Sequence, residues 1–428
     1  MSRMLRRCAP TSHFSVGCDP LGRKSPPYEI LNRGVFSVFI VGIDISKRNH
    51  EATIIDPKGS IIGKSFRFAN SFTGFNHLLE TVKRTTGNDV VFGMEATGHY
   101  WLALYTHLRK KGFAVHVINA IQSDALRAMY IRQQKNDSRD SFIIADVIRF
   151  GRFCETTVSP SDLYALRELC RHRFYTVDSV SDIKRKVIAL LDQIFPEYEN
   201  FFTDTFGKTS LELLSEYTTP EEILNVDTDK LVETINIASR GRLGLKKATE
   251  IQDAARNSFG ILMATDTIAL LIRQYIEQIR FVEKQVDVLD AEIARMLSTF
   301  ETQLTTITGV GPTLAAVILS EIGDVNRFNS AAKLAAFAGV DPTMKQSGDF
   351  TGSRNRMSKR GSPYLRRALW LAATVASFKD PSISAFYQRK RAEGKPHMTV
   401  LGHVVRKMIN IIFAVLRDNS PYSPAITN

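Results

Sequence analysis

Apolar residues fall into two patterns along this chain: short strand-like runs over the first third and helical stripes over the rest. Phe36–Ile45 is almost continuously apolar and His50–Ile55 resumes the pattern, which predicts two strands joined by a short connection. Asp56-Pro57-Lys58-Gly59 is a strong turn sequence and Ser60–Phe68 reads as a third strand, so an antiparallel meander is expected. Phe75–Lys83 then takes helical spacing, followed by a strand at Val90–Glu95 and a helix at Tyr100–Lys111. Phe113–Asn119 is a further strand, and Ile121–Phe150 is helix-type sequence.

Three strands followed by alternating helix and strand is the element order of the ribonuclease-H fold. Beyond residue 160 strands are scarce. Leu163–Phe195 is amphipathic and basic, and Phe195-Pro196-Glu197 interrupts it. Ile272, Tyr275, Ile279, Val282, Val286, Leu289, Ile293, Met296 and Phe300 then repeat at alternating steps of three and four, a heptad pattern that predicts a coiled coil and self-association. A long amphipathic helix packed on its own domain would show the same stripe. Residues 301–417 are helical and basic, with apolar faces at Leu314–Ile318 and Val404–Leu416. The fold class is therefore α/β followed by all-α. The expected division is a tail at 1–34, an α/β domain at 35–155, a helical linker and coiled coil at 156–300, and a helical C-terminal domain at 301–420. The tail carries six cations (Arg3, Arg6, Arg7, Arg23, Lys24, Arg33) against Asp19 and Glu29, a net of +4, with little periodicity. It reads as flexible, or as sequence ahead of a later start near Val35.

At 428 residues the chain is long enough for two or three domains, and 44% hydrophobic content is enough for real cores. The net charge of +12 changes the picture by pointing to a polyanion, either nucleic acid or an anionic membrane surface. The apolar run at Val35–Ile43 is far too short to span a bilayer, and the first thirty residues lack the apolar stretch of a secretory signal. Cys8, Cys18, Cys154 and Cys170 form no CxxC pair and have no histidine at zinc spacing, so they read as reduced thiols. A cytoplasmic, nucleic-acid-facing protein with no membrane partner is expected.

Candidate chemistry lies in four acids. Asp44 stands near the end of the first strand in Val-Gly-Ile-Asp-Ile-Ser-Lys, where an acid within apolar sequence needs a compensating partner. Glu95 closes the strand Phe-Gly-Met-Glu, and Asp137 and Asp140 stand three apart, on one face if a helix begins there. Each has an ordinary alternative, such as a turn residue or a helix cap. In the ribonuclease-H order, however, the first strand, the fourth strand and the late helix converge. Four carboxylates at one point raise one another's pKa unless cations intervene, and oxygen-only ligands favour Mg²⁺ or Mn²⁺. Two such ions about 4 Å apart activate a nucleophile and stabilise the leaving oxygen of a phosphodiester. Asp146, on the same late helix, reads as a solvated or salt-bridged residue.

Gly42-Ile43-Asp44-Ile45-Ser46-Lys47, Glu95-Ala96-Thr97-Gly98 and Lys135-Asn136-Asp137-Ser138-Arg139-Asp140 resemble the acidic motifs of the DEDD transposases, a group that includes the Piv-type DNA invertases and the insertion-sequence 110 family. The resemblance continues through Gly309-Val310-Gly311, Ala335–Gly339, Gln346-Ser347-Gly348, Met357–Gly361 and Leu365–Leu369, in collinear order over about 36–417. It departs at Ser141, where the family usually has Ala, and in the 1–34 tail. The resemblance implies a ribonuclease-H-like (RuvC-like) catalytic domain with Asp44, Glu95, Asp137 and Asp140 as metal ligands. It also implies a homo-oligomer acting on donor and target DNA, and a structured guide RNA used by many members.

Ser347-Gly348 alone is an ordinary turn pair; the resemblance makes Ser347 the nucleophile of a serine–DNA intermediate. Ile307-x-Gly309-Val310-Gly311 before an amphipathic helix is similar to a helix-hairpin-helix, in which Gly309 and Gly311 would let the backbone approach a phosphate. Arg354, Arg356, Lys359, Arg360, Arg366 and Arg367 follow as candidate nucleic-acid contacts, although such a run is also what a solvated face looks like. Two alternatives compete with a recombinase. A metal-dependent junction-resolvase-like nuclease would use the acids alone, and a binding scaffold would use none of this chemistry. The Gln-Ser-Gly segment argues against the first and the acidic quartet against the second.

Overall fold

The computed structural model describes residues 38–87, 89–127, 137–151, 153, 155–156, 160–343, 346–347, 350–351 and 356–424. The expectations for the 1–34 tail, for Val35, Gly348 and Arg354, and for three of the four cysteines fall outside these residues. Contacts divide the chain between Pro160 and Ser161.

In the first unit, β1 (Phe39–Asp44), β2 (Asn49–Ile55) and β3 (Phe66–Ala69) form the antiparallel meander. Helix α1 (Phe72–Thr86), capped by the Ser71 hydroxyl, leads to β4 (Val90–Glu95); α2 (Trp101–Lys110) leads to β5 (Ala114–Ile118). The sheet order is β3-β2-β1-β4-β5, with β1, β4 and β5 parallel. This small mixed five-stranded sheet is consistent with the ribonuclease-H-like expectation. The third strand is shorter than the Ser60–Phe68 run, because Gly63 takes a positive φ and interrupts the ladder after Ile62 has donated to the Ile54 carbonyl. Among the described residues of the helix-type stretch after β5 lie α3 (Ala120–Arg127) and α4 (Asp137–Phe150). Alternate positions of each strand face opposite ways. Val41, Ile43, Phe92 and Met94 pack under α1 and α2, while Ile40 and Ile55 pack with Ile143, Ile144 and Val147 of α4.

The second unit is helical. The long α5 (Ser161–Ile194) is followed by α6 (Lys208–Glu216), α7 (Pro220–Asn225), α8 (Thr228–Ser239) and α9 (Leu245–Arg256), and then by α10 (Thr265–Leu297). The heptad stripe of α10 is filled by the chain's own α5. The two helices run antiparallel, with ion pairs at Arg173–Asp290 (2.5 Å) and Lys184–Glu283 (2.9 Å). Ile272, Ile276 and Ile279 pack with Val180, Val187 and Leu191 in one core. Ile293 and Leu297 pack with Leu166, Cys170 and Phe174 in another. Most of the stripe is thus covered within the chain, because a second helix of nearly equal length (34 residues against 33) lies beside it, while Val286 and Leu289 stay half-buried.

The second of these cores also contains α11 (Pro312–Ile322), α12 (Ala331–Phe337), α13 (Pro363–Lys379), α14 (Pro381–Ala392) and α15 (His397–Asp418). The boundary expected at residue 300 therefore falls inside one core, since each long helix is long enough to cross two. Helix α15 is long and apolar enough to cross a membrane, but Val400, Val404, Val405, Met408 and Ile412 are buried in this core. Burial pushes the Cys170 thiol up to about 12, so it packs as a small apolar group, as expected of a reduced cysteine.

Candidate active site at the strand ends

The acids of the sheet unit owe their positions to two glycines. Gly42 and Gly93 are ladder partners on the parallel strands β1 and β4, and each stands two residues before an acid, Asp44 and Glu95. A Cβ on Gly42 would lie 2.1 Å from the Ser141 carbonyl oxygen and 2.5 Å from the Ala145 nitrogen. A Cβ on Gly93 would lie 2.7 Å from Ile148. Helix α4 therefore seats directly on the sheet where these side chains are missing. Strand alternation places Asp44 and Glu95 on that same face, as the residues following the partnered Ile43 and Met94. Asp140, buried in the first turns of α4, immediately precedes Ser141, the residue pressed onto Gly42. Ser141 also bonds Thr53 of β2 at 2.6 Å, hydroxyl to hydroxyl, which pins the helix start to the sheet. The family's usual Ala at this position could not make that bond.

Glu95 is oriented by two hydroxyls. Its Oε1 accepts the Thr97 hydroxyl at 2.7 Å and its Oε2 accepts the Ser123 hydroxyl at 2.5 Å. Ser123 is buried on α3 and also bonds the Ala120 carbonyl. Asp44 pairs in register with Glu51, and Glu51 with Arg67, so a row of charge crosses β1, β2 and β3. The Arg67 guanidinium reaches Glu51 at 3.6 Å and Asp137 at 2.9 Å. Asp137, exposed at the start of α4, is thereby held by a cation of the protein. Asp146 pairs with Arg149 at 2.7 Å and is the salt-bridged residue expected. Among the described residues, no group of three or more Asp, Glu, His or Cys side chains stands close enough to hold a metal ion. The structure brings Asp44, Glu95 and Asp140 to one face and one end of the sheet, and ties Asp137 to Arg67. The sequence reading missed Ser123, Arg67 and Glu51. Only Glu51 left a signal, as an acid within the apolar His50–Ile55 run.

The candidate residues of the helical unit have different surroundings. Gly309 has φ +88° and a Cβ there would lie 2.5 Å from the Ala372 carbonyl, so packing against α13 accounts for it. Gly311 caps α11 ahead of Pro312, with nothing within 4 Å of its missing side chain. Ser347 lies on a short antiparallel ladder, β6 (Gln346–Ser347) against β7 (Phe350–Thr351), with Ser347 opposite Phe350. Pro342 bridges Met357, and Thr343 donates its N–H to the Arg356 carbonyl. Arg356, Lys359 and Arg360 are exposed. Arg366 donates to the Ala338 carbonyl at 3.2 Å, and Arg367 grips Asp178 in a two-pronged pair at 2.7 and 2.8 Å while lying over the Phe174 ring. These last two cations, expected on a nucleic-acid surface, already hold the fold. The Ser358 hydroxyl donates to Asp341.

A family model described as "Transposase", of the DEDD IS110 type, matches residues 41–196. A second, "Transposase IS116/IS110/IS902 family", matches residues 301–388, so that the two together cover more than half of the chain. The chain is 26% identical to the insertion element IS116 uncharacterized 44.8 kDa protein of Streptomyces clavuligerus, over 90% of this chain and 96% of that protein. It is 27% identical to the insertion element IS110 uncharacterized 43.6 kDa protein of Streptomyces coelicolor, over 91% and 95%. It is also 34% identical to the pilin gene-inverting protein of Moraxella bovis, over 29% of this chain and 38% of that protein.

Proposed function

For a chain that belongs to the IS116/IS110/IS902 family of transposases, and so acts as a DNA transposase or recombinase, we propose a strand-transfer reaction that uses the acids of the sheet unit and Ser347 of the helical unit. The observation that carries this reading is the glycine-seated register, which aligns Asp44 with Glu95 and lays Asp140 over the same end of the sheet. A binding scaffold gains nothing from acids placed this way, because they repel the phosphates of its ligand.

The donor set at the strand ends is all carboxylate oxygen, which suits Mg²⁺ or Mn²⁺. Asp44, Glu95 and Asp140 would hold it once their side chains turn in to close around the ion, with Asp137 joining on release from Arg67. Bound there, the cation supplies Lewis-acid stabilisation of charge at a phosphodiester. Thr97 and Ser123 fix the Glu95 carboxylate through hydrogen bonds that leave its remaining lone pairs for a ligand. Ser347 attacks phosphorus through its hydroxyl oxygen. The phosphorus–oxygen bond to the departing sugar breaks, the serine proton passes to solvent, and the sugar oxygen takes one up. The phosphoserine link conserves a phosphate ester for rejoining to a new strand. Arg356, Lys359 and Arg360, with Arg354, balance charge on the five-coordinate phosphate. Gly311 at the α11 N-terminus offers a second phosphate contact. A homo-oligomer, a structured guide RNA and work on chromosomal DNA in the cytoplasm complete the proposal, and the net charge of +12 supports the nucleic-acid partners.

Two variants of the full chain test it. Asp44→Asn with Glu95→Gln should fold and bind DNA but lose Mg²⁺-dependent strand cleavage by at least about a hundredfold. Ser347→Ala should bind DNA and trap no covalent protein–DNA adduct on denaturing gels. Normal recombination by the acid variant removes the metal reading. An adduct from Ser347→Ala moves the nucleophile to Ser353 or Ser358.

A further inference from the structure

The sheet unit holds a recess that its acids do not use. It is a cavity of about 210 Å³ between the first turn of α1, the side of α2 and the ends of β2 and β3, lined by His50, Phe68, Asn70, Phe72, Phe75 and His107 among others. His50 directly precedes Glu51, the ladder partner of Asp44, so the recess lies at the acids' end of the sheet; strand alternation puts it on the opposite face.

Its lining specifies a ligand. His50 is 1% exposed, and its Nδ1 accepts the Ser46 backbone N–H at 3.2 Å, which places the ring proton on Nε2. Among the described residues that Nε2 makes no well-aligned hydrogen bond, although the Asn70 side chain stands near the ring. Buried donors without a partner are rare, and each calls for a reason. Burial holds the His50 pKa below the usual imidazole value, with the Asn70 side chain opposing only part of the effect. The ring is therefore neutral at pH 7 and offers a phosphate no charge. His107 donates from Nδ1 to the Ala103 carbonyl at 2.8 Å, which leaves its Nε2 as the ring nitrogen outside that bond. The walls are aromatic. Phe68 meets His50 edge-on at 5.2 Å, Phe75 meets His107 edge-on at 5.5 Å, and Phe72 leans on Phe75 at 6.4 Å with 69% of its surface exposed. A flat, uncharged heteroaromatic ring with a hydrogen-bonding edge matches these features.

We propose that this recess takes an unstacked nucleobase of a single strand, its face against Phe72 and its edge toward His50. Enzymes that handle opened nucleic acid hold displaced bases in this way, by stacking and by contacts to the base edge. The inference rests on the reading of the chain as a nucleic-acid enzyme.

The test uses full-length Phe72→Trp and follows its emission as single strands are added, with the unsubstituted protein (Trp101 and Trp370 only) as background. DNA and RNA oligonucleotides should quench the new emission, and a DNA strand of the same length built from abasic residues should not. Quenching by DNA alone assigns the base to the strand being joined, and quenching by RNA alone assigns it to an RNA partner; either supports the proposal. In parallel, Phe72→Ala should weaken single-strand affinity about tenfold and leave duplex affinity within about twofold. His50→Phe, which keeps the ring and removes the donor, should weaken single strands in the same sense. Equal quenching by the abasic strand, or unchanged single-strand affinity in Phe72→Ala, overturns the base site and leaves the proposed function intact. Failure of the unsubstituted chain to bind any DNA or RNA overturns both.

Discussion

Glu95 of the sheet unit and Arg367 of the helical unit are both charged residues in motifs that signal function, and the structure treats them oppositely. Glu95 ends a parallel strand whose neighbour ends in Asp44, and its two hydrogen bonds come from hydroxyls that orient it without neutralising it. Arg367 is matched by the Asp178 carboxylate, as Arg173 is by Asp290 and Arg171 by the buried Glu321, which also accepts the Ser362 hydroxyl. In the sheet unit, a ladder fixes where a charge must stand and leaves its chemistry available. In the helical unit, many of the cations join one helix to the next. Cation density along the sequence therefore overstates the surface offered to DNA.

The largest expected effect concerns the glycine seat. Gly42→Ala should destabilise the chain by about 2–4 kcal/mol in urea unfolding, because the new methyl meets backbone on α4 that cannot turn aside. Gly402→Ala, inside α15 with Trp370 no nearer than 4.0 Å, should instead stabilise by about 0.5–1 kcal/mol. Similar costs at both positions would erase the contrast between the units. An intermediate effect is expected of Ser123→Ala. It should leave the unfolding midpoint nearly unchanged, lower strand cleavage about tenfold and raise the Mg²⁺ concentration needed for half-maximal rate, because Glu95 loses the bond that aims it. A loss of stability with no change in metal dependence would make Ser123 a packing residue. The smallest effect belongs to the Arg367–Asp178 pair, which is partly exposed on both sides. A double-mutant cycle to Ala should give a coupling of less than about 1 kcal/mol in stability. Arg367→Ala should also leave the salt dependence of DNA binding unaltered; a shallower slope would return Arg367 to the nucleic-acid surface.

The sheet unit was legible because its signals are local: short apolar runs bounded by turn residues. The strand at Val90–Glu95 matches residue for residue, and the others match within a few positions apart from the early part of the third. The glycine two residues before each acid was printed in the sequence, but its reason, a helix arriving from fifty residues away or more, was not. Ser123 was invisible for the same cause: a lone serine on a helix gains meaning only when a strand end lies opposite. The α10 stripe reads as a seam for self-association, with packing on its own domain as the alternative, and α5 lies along it; periodicity shows that a face is covered and never by what. Replacing Val286 and Leu289 with Asp, which would disperse an oligomer held by this seam, would now also disrupt the chain's own helix pair, since both side chains are half-buried on it.

The paired Gly42 and Gly93 also bear on descent. A strand that gains or loses one residue turns every following side chain to the other face. A single-codon insertion between Phe39 and Gly42, or between Val90 and Gly93, would unseat α4 and send an acid to the wrong side in one step. The stretch at 63–65, outside the ladder and with nothing within 4 Å of the missing side chain of Gly63, carries no such constraint. Lineages of this element should therefore vary freely in length between β2 and β3, while the spacing from strand start to acid in β1 and β4 stays fixed however far the letters drift.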